Sequence, residues 1–173
     1  MRFFLVFILT VLSLYASRDG GPYIGGGYCS STIDTNGYFE MKEDSSSGYK
    51  IYAGAYINNN FSVEFETIRD LTYQTLDEEY SFILYDINTQ AHYQFFNRTI
   101  DTFLKFGVGE IDYDKNKGFS FVYGGGIAWW INERFSLKAG YDIYSFGYDE
   151  DNDNSADKDF NINYFYTSFE VQF

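Results

Sequence analysis

Beyond the first 21 residues apolar and polar residues alternate with a period of two almost everywhere outside a few polar stretches, the signature of strands whose two faces meet different surroundings. The segment 135–146 puts Phe135, Leu137, Ala139, Tyr141 and Ile143 on one face, and Ser136, Lys138, Gly140, Asp142 and Tyr144 on the other. The segment 119–131 sets Phe121, Tyr123, Ile127 and Trp129 against Ser120, Gly124, Gly126 and Ala128. In 61–70, Phe61, Val63 and Phe65 oppose Ser62, Glu64 and Glu66. Helical spacing is not evident. The pattern predicts eight strands, at 22–30, 48–57, 61–70, 80–95, 100–112, 119–131, 135–146 and 160–173.

The connections alternate short and long in a fixed order. Short turns fall at Asn58-Asn59-Asn60, around Asn97-Arg98, and at Asn132-Glu133-Arg134. Long polar loops are expected at 31–47, 69–79 and 147–159, with a shorter one from Asp114 to Gly118. An even number of strands with this loop order predicts an all-β, eight-stranded antiparallel up-and-down transmembrane β-barrel. Its short turns and both ends then lie on the periplasmic side of an outer membrane. A soluble, lipocalin-like ligand-binding barrel would have the same periodicity turned inside out, with Phe135, Leu137, Ile143, Val171 and Phe173 in the interior.

Composition sharpens this picture. Aromatic residues make up 23% of the chain, with 18 Tyr and 19 Phe, yet the mean hydropathy is −0.31. That pairing suits aromatic-rich strands with one polar face. A net charge of −13 without a basic stripe excludes nucleic acid as a partner. Cys29 is the only cysteine, so no intramolecular disulfide forms and the residue reads as a small strand side chain. The first residues, Arg2 and then the apolar run Phe3 to Leu14 before Ala16 and Ser17, read as an export signal over 1–17. The run is too short for a comfortable transmembrane helix, and 18–173 is then the barrel domain.

The last strand decides between the two orientations. It reads Tyr164-Phe165-Tyr166-Thr167-Ser168-Phe169-Glu170-Val171-Gln172-Phe173, with Phe165, Phe169, Val171 and the terminal Phe173 on one face. This resembles the C-terminal signal of bacterial outer-membrane barrels, and the mature chain resembles the OmpA/OmpX-type outer-membrane β-barrel family. The resemblance implies location in a Gram-negative outer membrane and recognition of Phe165, Phe169, Val171 and Phe173 by the barrel-insertion machinery. Members include structural anchors, adhesins and small barrels called porin family. With the chain stopping at Phe173, no peptidoglycan-binding domain is expected.

Eight strands enclose a space about wide enough for their own side chains, so inward charges must be paired. Counting depth from the short turns predicts a buried layer of Glu64, His92, Lys105, Lys138 and Glu170, with Asp86 and Asp142 above it and Glu66 nearby. His92 is the sole histidine, so Ser-His-acid chemistry would have to use it. Nothing in the sequence marks a nucleophile beside it. A lipid-modifying barrel enzyme, the third reading, would need His92 beside a Ser and a carboxylate at the external rim. Asp149, Asp151 and Asp153 resemble the start of a calcium loop, but Phe160 stands where a bidentate Glu is required. Weak calcium binding is the most this loop suggests, and no cofactor is expected.

Together with Asp77, Glu78 and Glu79, these acids would share divalent cations with lipopolysaccharide. Two aromatic girdles are expected. Trp129, Trp130, Phe135, Phe95, Phe96 and Phe173 would lie near the short turns, and Tyr49, Tyr80, Phe119 and Phe146 near the long loops. Gly25-Gly26-Gly27 and Gly124-Gly125-Gly126 precede no helix and are read as strand glycines rather than phosphate loops. The reading as a whole is a barrel without catalysis, with a structural or surface-interaction role carried by acidic external loops.

Overall fold

The computed structural model describes residues 20–35, 41–75, 79–113, 116–148 and 158–173. They form β1 (Gly21–Asp34), β2 (Met41–Glu43), β3 (Ser45–Asn58), β4 (Phe61–Thr75), β5 (Glu79–Phe95), β6 (Ile100–Tyr113), β7 (Asn116–Trp130), β8 (Phe135–Tyr148) and β9 (Lys158–Gln172). All but β2 form a closed antiparallel barrel of eight strands, with β1 paired to β9 and β4 to β5. The short β2 pairs only with the rim of β4, through Met41 with Thr75 and Glu43 with Gln74. Barrel strands of 14 to 17 residues exceed the roughly 9–11 needed to cross a bilayer, so their ends stand clear of it.

The apolar faces point outward. Phe135 and Leu137 are 37% and 43% exposed, whereas Ser136 between them and Lys138 and Asp142 beyond them are buried. Ser62, Glu64 and Glu66 are buried, while Phe61, Val63 and Phe65 lie outside. Ile143, Val171 and Phe173 are half-exposed rather than core residues. This removes the lipocalin-like alternative, which needs that set inside.

The strands run longer toward the loop end than the sequence pattern suggested. The expected 69–79 loop is strand as far as Thr75, and β1 continues to Asp34. The cause in β4 is a bulge. The register shifts between Ile68 and Leu71, Arg69 and Asp70 are both exposed, and Asp70 takes a φ of 65°. One extra residue reverses the parity, so Leu71 and Tyr73 point inward like Ile68 while the period of two looks broken.

Two short turns are closed by asparagine. The Asn58 side chain accepts from the N–H groups of Asn60 and Phe61 at 2.8 and 3.0 Å, and Asn132 does the same for Arg134 and Phe135 at 2.9 and 3.0 Å. The third turn runs through Phe96, Asn97 and Arg98 with positive φ angles.

The stagger of the barrel follows from the ladder. The path Ile24, Ala53, Phe65, Ile87, Val108, Phe121, Ser145, Asn161 returns to β1 at Asp34, ten residues beyond its start. Such a stagger over eight strands demands a tilt of about 40°. Residues equally far from their turns in sequence therefore need not lie at equal height.

Glycines make room for rings in the lumen. Tyr52, Tyr23 and Tyr166 lie directly across the ladder from Gly25, Gly54 and Gly140. A Cβ on those glycines would come within 2.1, 2.5 and 2.5 Å of the rings. Each tyrosine thus folds over its glycine neighbour.

Candidate functional site

The lumen holds three linked polar groups capped by an apolar one. The first is centred on Glu66 of β4. Lys50 of β3 and Lys105 of β6 each reach Glu66 at 2.6 Å, and Lys105 also meets Asp142 of β8 at 2.6 Å. Tyr164 donates to Glu66, and Tyr144 donates to Asp86. Asn88 also donates to Asp86, at 2.6 Å, and receives a bond from Gln90 at 3.2 Å. The Lys50 ammonium sits 3.8 Å from the centre of the Tyr166 ring, a cation–π contact in a desolvated site.

The second group lies closer to the short turns. Lys138 of β8 pairs with Glu170 of β9 at 2.5 Å, and Tyr56 donates to Glu170 at 3.0 Å. Glu64 takes a hydrogen bond from Tyr23 at 3.1 Å and stands 3.9 to 4.0 Å from Lys50, Lys105 and Lys138. It links the two groups electrostatically.

The third group contains His92 of β5. Its Nδ1 lies 2.9 Å from Asp101 Oδ2 on β6, and its Nε2 lies 2.8 Å from Ser62 Oγ on β4. A carboxylate only accepts, so Nδ1 donates; in the neutral ring Nε2 is left to accept from the serine hydroxyl. Tyr56 and Phe103 flank the imidazole at 5.1 and 6.0 Å between ring centres. Toward the loops, Ile68, Leu71, Leu84, Ile111, Phe146 and Phe160 close the lumen in an apolar cluster that also buries Cys29.

The structure thus brings Glu64, Lys105, Asp142, Lys138 and Glu170 into mutual contact or near contact, but not in the single layer expected. Lys105 belongs with Glu66 and Asp142, Lys138 with Glu170, and His92 stands apart with Asp101. Asp86 is held by Tyr144 and Asn88 rather than by a lysine. Strand tilt explains the redistribution, because depth counted along the chain is not height. Sequence reasoning placed Tyr144 on the inner face but missed Lys50, Asp101 and the ring contacts of Tyr23, Tyr56, Tyr164 and Tyr166. Lys50 and Asp101 share the inward parity of Tyr52 and Lys105 on their own strands.

Ser62, His92 and Asp101 have the distances of a hydrolase triad, so a hydroxyl does lie beside His92 after all. Chemistry does not follow from those distances. Ser62 is 0% exposed, and the side chains of His92 and Asp101 are buried with it, at the short-turn end rather than the external rim. The hydroxyl of Tyr23 lies 3.4 Å from Ser62 Oγ but is also bonded to Glu64, whose negative charge opposes an oxyanion there.

On the outer wall, Trp129 is 54% exposed with Phe95, Phe96 and Phe135 near the short turns, and Tyr28, Tyr49 and Phe119 near the loops. Three expected girdle residues are elsewhere. Trp130 is 6% exposed and Phe146 is buried in the lumen, and Tyr80 packs against the inner cluster, because each has the inward parity. Phe165, Phe169, Val171 and Phe173 share the outer face of β9, and Phe169 stacks on Phe135 with ring centres 5.5 Å apart. Glu79 and the Glu110–Lys117 pair, 2.5 Å apart, are exposed at the loop end. The export segment 1–17, Asp77, Glu78, Asp149, Asp151 and Asp153 lie outside the described residues.

The fold is shared with small outer-membrane barrels of known structure. Neisserial surface protein A superposes with a TM-score of 0.61 at 16% identity, covering 89% of this chain and 99% of that one. Ail, the attachment invasion locus protein of Yersinia pestis, gives 0.60 at 16% identity over 90% and 99%. OprG of Pseudomonas aeruginosa gives 0.64 at 11% identity over 91% and 97%. No curated protein matches the sequence. The family model of the outer membrane protein beta-barrel domain matches residues 3–173. With its apolar wall outside and its charges within, the chain belongs to the outer-membrane β-barrel protein family and resides in the Gram-negative outer membrane.

Proposed function

We propose that this barrel is a non-catalytic outer-membrane protein whose structural or surface-interaction role is carried by its acidic external loops. The observation that carries the proposal is the filled lumen: Lys50, Glu66, Lys105 and Asp142 join strands β3, β4, β6 and β8 across it, and the one histidine-linked hydroxyl is buried. Among the described residues the lumen is occupied by these side chains rather than open to a substrate or solute, which leaves the loops as the working surface. The ion network then serves as a plug that fixes strand register. Ail has been crystallised with the heparin analogue sucrose octasulfate, so a barrel of this fold does present a ligand surface. In the present chain the loop charge is negative, which favours divalent cations bridging to lipopolysaccharide phosphates over direct polyanion binding. Phe165, Phe169, Val171 and Phe173 form the assembly signal, and 1–17 the export signal.

The test replaces Asp149, Asp151 and Asp153 by Asn and measures outer-membrane permeability to a hydrophobic dye as magnesium and calcium are titrated with chelator. The variant is expected to leak at higher free divalent concentration than the parent. Identical titration curves at equal surface expression would remove the loop role.

A further inference from the structure

We infer that the outer wall around Phe169 is a docking site for one two-chain phospholipid of the periplasmic leaflet. Two apolar grooves of nearly equal volume, about 450 and 460 Å³, lie side by side on this wall. The first runs between Trp129 and Leu137 on one side and Phe169 on the other, over a floor of Ala139 and Thr167. The second runs between Ile51 and Phe65 on one side and Phe169 and Val171 on the other, over Gly26 and Ala53. Phe169 borders both, held by its stack on Phe135 at an interplanar angle of 21°.

The floors exist because small outward residues coincide in the ladder. Gly26 pairs with Phe169 on one side and Ile51 on the other, and Ala139 pairs with Thr167. Small residues let a neighbouring hydrocarbon come close to the backbone.

Charge at the foot of the ridge selects the occupant. Arg134 ends the turn before β8, and its carbonyl accepts from the Gln172 N–H at 2.8 Å, which places it beside Val171. The residue is exposed next to exposed Glu133, and its guanidinium makes no ion pair among the described residues. A guanidinium binds a phosphate oxygen pair better than it binds a sugar or an uncharged headgroup. Two chain-sized grooves flanking one ridge above one phosphate-binding cation have the layout of a diacyl phospholipid. A single-chain amphiphile would leave one groove open. The short-turn end faces the periplasm, so the lipid belongs to that leaflet rather than to the lipopolysaccharide leaflet.

Trp129 borders the first groove, and Trp130, the only other tryptophan, is buried in the lumen. Fluorescence of a Trp130→Phe barrel in maltoside micelles therefore reports on the groove, with correct folding checked by the heat-modifiable gel band. Should that variant not fold, the parent serves, with Trp130 as a constant background. Phosphatidylglycerol with brominated chains is titrated in. Quenching is expected to saturate near one lipid per barrel. Arg134→Gln should weaken binding about threefold to fivefold, the range of an exposed charge pair. Ala139→Phe should abolish the quenching by filling the first groove. Ala53→Phe, filling the second, should weaken the two-chain lipid while leaving quenching by a brominated single-chain lysolipid unchanged. Quenching that rises with lipid without saturating, or that is the same in all three groove and headgroup variants, overturns the proposal.

Discussion

Inside the lumen a single charge can be removed but not released from its surroundings. Lys138 and Glu170 meet at 2.5 Å with both side chains almost fully buried, so deleting one leaves the other uncompensated at a cost of about 3–5 kcal/mol. Lys138→Met is expected to lower the urea midpoint of the detergent-folded barrel accordingly, and Lys138→Met with Glu170→Met to recover most of that loss. A midpoint equal to the parent's in the single variant would mean that the pair contributes nothing. Ser62→Ala, by contrast, loses the neutral hydrogen bond to His92 and the long one from Tyr23, and should cost about 1–2 kcal/mol. A fluorophosphonate probe is expected to label neither the parent nor this variant, and labelling of the parent alone would reinstate a hydrolase. The charged positions were readable because charge on a strand that alternates with Phe and Leu has only one face to occupy. Lys50 escaped that logic because its strand carries tyrosines on both faces, Tyr49 outside and Tyr52 inside, so parity alone could not say which face was polar. Asp101 escaped for a similar reason: it shares its face with Phe103, an aromatic that belongs to the lumen.

At the scale of strands, the wall depends on side-chain size as much as on polarity. Gly140 lies across from Tyr166, and a methyl group there would reach 2.5 Å from the ring, so Gly140→Ala must displace a tyrosine that packs over Lys50. Overpacking of this kind costs about 1–3 kcal/mol. Gly147 is the natural control on the same strand, because a Cβ there has nothing within 4 Å. Gly140→Ala should therefore unfold at lower urea while Gly147→Ala tracks the parent; equal midpoints would show that the ring moves without penalty. Strand number and turn positions were legible from periodicity and from Asn58 and Asn132, and the facing from the last strand with its terminal Phe173. The ends of the strands were not, since the Asp70 bulge reverses parity by one residue and a period-two reading then ends the strand early. Heights within the barrel were also hidden, because stagger is a property of the closed sheet and no single strand carries it.

For the molecule as a whole, closure into eight staggered strands limits what the lumen can pass. A barrel of this size is just filled by its side chains, and here the filling is layered: an apolar cluster at the loop end, lysine–carboxylate pairs in the middle, and Tyr56, Trp130 and His92 at the short-turn end. A solute would have to break buried pairs and expel rings before it met water on the far side. Proteoliposomes containing the folded barrel are therefore expected to swell in a small sugar no faster than protein-free liposomes. The central pairs should be the barrier, and a variant that removes their positive and negative charges in equal number tests this. Lys105→Ala alone would strand Glu66 and Asp142 and confuse loss of the plug with loss of the fold. Lys50→Ala, Lys105→Ala, Glu66→Ala and Asp142→Ala combined remove the group as a unit, opening space while leaving the wall and the Lys138–Glu170 pair in place. That variant, provided it keeps the heat-modifiable band, should pass small ions in planar bilayers where the parent stays closed. A parent that conducts as well as the variant would show that the lumen is not plugged and that the interior, rather than the loops, is the working part of the barrel.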